Sequence, residues 1–226
     1  FEEEVNSLTV VDKLSDNGKG LNLTYAVKDG IVSHCGEHFV QRIIPSFEIK
    51  DLDSIKTRRS LVPTTFEATV VRFSDSIAYL GRDFEDATRL GILSEPLPED
   101  IKSVLGSTNG EIINTLVTDI IENSSQSEGV GFSDKVYKAV ERMKDYNYNY
   151  IYRSDILKGY TSYFERLLKL IYSYIEGLFK DGVDIKQSCE AEKNMLAAGF
   201  YAHYAEMKDV YASMNEGVDR LIFDYV

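Results

Sequence analysis

Apolar residues recur at three- and four-residue steps along most of the chain, and that helical period sets the fold class. In EIINTLVTDIIENS, residues 111–124, Ile112, Ile113, Leu116, Val117, Ile120 and Ile121 fall on one face, which predicts an amphipathic helix. A longer stripe runs through YFERLLKLIYSYIEGLFK, residues 163–180, where Phe164, Leu167, Leu168, Ile171, Ile175, Leu178 and Phe179 align before an Asp181-Gly182 stop. Further helices are predicted around 1–14, 24–33, 66–90, 133–144, 153–159 and 188–214. No alternating apolar–polar run is long enough for a half-buried strand, so the chain reads as all-α. Loop signals fall at 15–20, 45–63, 93–100 and 124–131, the last containing SSQSEGVG. The segment 45–63 is charged and aperiodic and reads as a partly mobile surface excursion.

Composition narrows the function classes. A hydrophobic content of 43% in 226 residues is enough for a buried core. The formal net charge of −12 argues against strong nucleic-acid binding, which needs clustered cations to displace counterions from phosphates. Lys56, Arg58 and Arg59 form the densest basic group, and with Arg42 they could meet phosphates, although solvation is the ordinary fate of such residues. Two distant cysteines, Cys35 and Cys189, point to a reducing, cytoplasmic setting and not to a disulfide framework. No stretch approaches the roughly 18 apolar residues of a membrane-spanning helix, so no membrane partner is expected. The chain starts at Phe1 and stops in the apolar run LIFDYV, so both ends read as cut points. Tyrosine occurs 15 times and concentrates in YNYNYIY, 146–152, where packing at helix and subunit contacts is the ordinary reading and ligand stacking the rarer one.

The segment TFEATVVRFSDSIAYLGRDFEDA, 65–87, carries the chemistry. Asp75, Tyr79 and Asp83 stand four residues apart, so a helix presents a carboxylate, a phenol and a second carboxylate along one face. Their apolar neighbours, Val70, Val71, Phe73, Ile77, Ala78, Leu80 and Phe84, predict a substantially buried helix. A carboxylate in such a place needs a partner. Arg72 and Arg82 are the plain candidates for that partner, and a bound cation is the functional one.

The string SDSIAYLGRDFEDA resembles the last metal-binding motif of the HD-domain deoxyguanosine triphosphate triphosphohydrolases. GLNLTYAVKDGIVSHCGE at 20–37, MKDYNYNYIY at 143–152, the opening FEEEVNSLTVVDKL and the closing RLIFDYV are similar to other segments of that family in the same order. The opening departs in having Glu3 where the family has His. The resemblance implies an HD-domain, phosphodiesterase-like helical array. In it, 1–92 is the C-terminal part of the catalytic domain and 93–226 a helical C-terminal region packed on it. It also implies a divalent metal (Mn, Mg, Fe, Ni or Zn) held by a His, a His-Asp pair and a final Asp. Only the last of these, Asp75, is present, and no His-Asp dipeptide occurs in the sequence. Tyr79 and Asp83 are assigned by the same likeness to the deoxyribose, the phenol on the sugar and the carboxylate on its 3′ hydroxyl. The implied reaction is hydrolysis of deoxynucleoside triphosphates to deoxynucleoside and triphosphate, with these 226 residues inactive alone, and a homo-oligomer is expected.

Two other readings stay open. His34-Cys35-Gly36-Glu37-His38 matches the H-x-x-E-H string of zinc peptidases, although Gly36 weakens the helix that string requires. Tyrosine-rich apolar helices would also suit a non-catalytic oligomerisation or regulatory module of a degenerate HD protein.

Overall fold

Helices dominate the computed structural model, which describes residues 2–36, 39–59 and 61–226. In chain order they are α1 (Glu3–Thr9), a π turn (Val10–Leu14), α2 (Ser15–Gly18, a single turn kinked by left-handed Asp16 and Asn17), α3 (Tyr25–Ser33), α4 (Phe66–Arg89), α5 (Glu99–Leu105), α6 (Asn109–Asn123), α7 (Asp134–Asn147), a second π turn (Tyr148–Tyr152), α8 (Asp155–Glu176), α9 (Ile185–Glu192), α10 (Met195–Ser213) and α11 (Val218–Tyr225). Two-residue strands β1 (Arg42–Ile43) and β2 (Val130–Gly131) pair antiparallel, Arg42 opposite Gly131 and Ile43 opposite Val130. The all-α expectation holds, with this ladder as a small addition. A period-two search cannot see strands of two residues.

Contact density divides the chain into two units. The first comprises Phe1–Thr9 and Asn22–Lys158, the second Val10–Leu21 and Gly159–Val226. The helices from 99 to 147 share one core with α4, so they group with the residues before them.

In the first unit α4 is the organising element. The Thr65 hydroxyl accepts from the Ala68 amide at 3.1 Å and caps its start. Phe73, Ile77, Leu80 and Ala87 form its buried stripe, packed with Ile101 and Leu105 of α5, Ile112 and Leu116 of α6 and Val140 and Met143 of α7. Each large side chain so buried stabilises the fold by about 1.5–3 kcal/mol before entropy is counted. At about 100° per residue, positions 75, 79 and 83 fall on a stripe beside that buried one, at the edge of the core. Gly81 lets α6 approach: a Cβ there would lie 2.8 Å from Asn109 Oδ1 and 3.2 Å from Asn109 Cα. A capping box at Thr108 and Glu111 starts α6.

The 45–63 excursion is tied down. Asp29 of α3 is fully buried, and its carboxylate accepts from Lys50 Nζ at 2.6 Å, from the Thr64 hydroxyl at 2.9 Å and from the Thr64 amide at 2.7 Å. The Lys50 amide also donates to Tyr25 Oη at 2.8 Å. Within this charged, aperiodic segment one lysine is seated on a buried acid.

The second unit closes around Phe200, with Ile175, Leu178, Met207, Leu221 and Ile222. The helix expected over 188–214 is two helices, broken where Lys193 turns left-handed (φ 51°) and Asn194 caps α10 through the Ala197 amide. Conversely, the helices expected at 153–159 and 163–180 join into α8, since Gly159 lies inside it and does not end it.

Candidate functional site

Asp75, Tyr79 and Asp83 line one cavity of about 620 Å³. Four-residue spacing on α4 brings them together, as the sequence pattern requires. The two carboxylates are half-buried, and Tyr79 keeps 61% of its surface exposed. Asp75 and Tyr79 also border a larger, mostly apolar groove of about 890 Å³ lined by Val27, Gly30, Ile31, Val71 and Ala78.

The facing wall comes from the last turn of α7 and the π turn after it, with Lys144, Asp145, Asn147, Tyr148 and Tyr152 at the cavity. Asn147 is buried and its Nδ2 donates to the Leu80 carbonyl at 2.9 Å, which fastens this wall to the backbone of α4. Tyr146 packs on Tyr150 at 4.7 Å and on Phe84 at 6.3 Å, so alternate tyrosines anchor the turn while Tyr148 and Tyr152 border the cavity. The phenol of Tyr152 donates to Asp83 Oδ2. Burial first, then this bond and the carboxylate's charge, hold the Tyr152 hydroxyl far above the ordinary tyrosine pKa.

At the other end of the stripe the Cys35 thiol donates to Asp75 Oδ2 at 3.6 Å. Burial, reinforced by the Asp75 charge, pushes that thiol up to about 11. Lys144 holds its ammonium 4.4 Å from the centre of the Phe39 ring. Burial lowers its pKa, and the Asp75 charge opposes the shift. The cavity therefore has three acids, Asp75, Asp83 and Asp145, a cation and three phenols, with its polar groups on α4, the last turn of α7 and the π turn.

The arginine alternative for these carboxylates does not occur among the described contacts. Arg82 pairs with Asp86 at 2.9 Å and Glu85 at 3.8 Å, and Arg72 donates to the Leu61 carbonyl at 2.8 Å. Of the basic group, Arg58 is paired with the buried Glu4 at 2.7 Å, and Lys56 reaches the Asp53 carbonyl at 3.4 Å. Arg42 lies on β1, its guanidinium on the Gly129 carbonyl at 3.4 Å. In the H-x-x-E-H string, Glu37 and His38 lie outside the described residues. Helix α3 ends at Ser33, so His34, Cys35 and Gly36 follow it in irregular backbone, and His34 Nδ1 sits 2.7 Å from the Ile31 carbonyl. Among the described residues no group of three or more His, Cys, Asp and Glu is placed to hold a metal ion. Asp75 could give a cation one carboxylate, and these residues do not by themselves form a metal centre.

Sequence reasoning did not single out Lys144, Asn147 or Tyr152. Their segment, 143–152, stands out in the sequence for its tyrosines and its family likeness, and the every-other-residue tyrosines at 148, 150 and 152 are the available signal.

Among the described residues no helix is long and apolar enough to cross a membrane. No protein-family model matches the chain. Curated relatives do. A deoxyguanosinetriphosphate triphosphohydrolase-like protein of Clostridium tetani is 29% identical over 231 residues, covering 100% of the chain and 57% of the relative. A protein of the same description from Clostridium perfringens strain SM101 is 30% identical over 234 residues, 100% of the chain and 56% of its own length. One from Caldanaerobacter subterraneus is 32% identical over 185 residues, 81% of the chain and 47% of its own length. The chain thus spans about half the length of the curated relatives it matches.

Proposed function

Because the chain belongs to the family of the deoxyguanosinetriphosphate triphosphohydrolase-like proteins, we propose that the whole protein is an HD-domain hydrolase that cleaves deoxynucleoside triphosphates into deoxynucleoside and triphosphate. The observation that carries this reading is the convergence of Asp75, Tyr79 and Asp83 on one cavity. In the reaction, water adds to the α-phosphorus, the bond from that phosphorus to the 5′ oxygen breaks, and a proton ends on the 5′ oxygen of the nucleoside.

A divalent cation supplies charge neutralisation and an acidified water in such chemistry. Asp75 is the carboxylate that the family likeness assigns to it, and among the described residues no group of three or more His, Cys, Asp and Glu completes a metal site around it. What this chain's own residues do is hold the sugar. The Tyr79 ring, largely exposed at the cavity, offers an apolar face to the deoxyribose. Asp83 accepts the 3′ hydroxyl, so a sugar lacking that hydroxyl leaves a partly desolvated carboxylate short of a donor. Lys144 gives this acidic protein a local positive charge at the same cavity, suited to the phosphate end of the substrate.

The test compares three proteins for metal-dependent release of triphosphate from dGTP. The intact protein is expected to release it. Its Asp75→Asn variant and residues 1–226 alone are expected to fall at least about a hundredfold, in line with the loss of a group that acts at the reacting phosphate. Undiminished activity in Asp75→Asn would remove the role given to that residue.

A further inference from the structure

Tyr152 lies 69 residues from Asp83 in sequence, on the opposite wall, and its hydroxyl donates to one carboxylate oxygen, Oδ2. We infer that Tyr152 is a positioning residue for sugar recognition: by engaging Oδ2 it fixes the Asp83 carboxylate so that the other oxygen is presented to the 3′ hydroxyl of a deoxynucleotide. This inference rests on the sugar-binding role proposed for Asp83.

Three observations support it. An aspartate side chain is free to turn its carboxylate about its last bond, and a donor on one oxygen removes that freedom while leaving acceptor capacity on the other. The donor is itself held: Tyr152 ends a π turn, a widened turn that often marks functional positions, and the helix before it is fastened to α4 by Asn147 on the Leu80 carbonyl. The arginine nearest on the helix does not compete, since Arg82 is engaged by Asp86 and Glu85.

The experiment measures kcat/KM of the intact protein for 2′-deoxyguanosine triphosphate and for 2′,3′-dideoxyguanosine triphosphate, and takes their ratio within each variant. A reduced folded fraction cancels in that ratio, so a purely structural defect does not move it. Wild type is expected to favour the 3′-hydroxylated substrate. Tyr152→Phe is expected to lower the preference about tenfold, which corresponds to roughly 1.4 kcal/mol of lost discrimination, and Asp83→Asn to lower it further. If Asp83→Asn loses the preference and Tyr152→Phe keeps it in full, the role of Tyr152 is overturned while that of Asp83 survives. If wild type shows no preference, the sugar-binding role of Asp83 fails and the inference fails with it.

Discussion

Cys35 keeps its proton because ionising it would place a thiolate in a half-buried position against the Asp75 carboxylate. With its thiol pushed up to about 11, Cys35 should alkylate slowly at neutral pH, with the rate still climbing above pH 10. An unfolded thiol ionises near pH 8.5. A raised folded value favours the protonated, folded state, so this contribution to stability is present below about pH 8.5 and is lost as pH rises toward 11. Asp75→Asn should bring the Cys35 titration down; peptide-resolved alkylation across pH reads both effects, and an unchanged midpoint would separate the thiol from Asp75. The reach of the sequence is clear at these residues. Asp75, Tyr79 and Asp83 were legible together because helical spacing alone brings residues four apart to one face. Tyr152 and Lys144 were not, because tertiary folding alone carries a segment some 70 residues away to that face.

At the scale of elements, strong periodicity located α4, α6 and α8, whereas breaks set by single residues escaped it. The left-handed Lys193 divides a pattern that is apolar on both sides, and the two-residue strands β1 and β2 are shorter than the period that would reveal them. The Lys50–Asp29 pair belongs to the same class, a long-range contact that pins a segment whose composition reads as loop. Lys50→Met removes the cation from a fully buried carboxylate and should destabilise the protein by about 3 kcal/mol, read by chemical denaturation. Loss of less than about 0.5 kcal/mol would mean that the Thr64 hydrogen bonds suffice for Asp29. In that case the 45–63 excursion would not depend on Lys50 for its place.

For the whole molecule, the net charge of −12 argues against a general phosphate-gripping surface, and Lys144 is the lysine that lines the cavity. The all-helical class came from periodicity, and the family came from short strings spread along the chain. Contact density then gathers α4 to α7 around one core, where linear spacing alone gave no sign that the 143–152 segment returns to α4. Product analysis decides most directly whether this cavity serves nucleotide cleavage: phosphorus NMR of the intact protein incubated with dGTP and a divalent metal. The expected spectrum shows free triphosphate accumulating in step with deoxyguanosine. Pyrophosphate with dGMP, orthophosphate with dGDP, or no turnover with any divalent metal would contradict it.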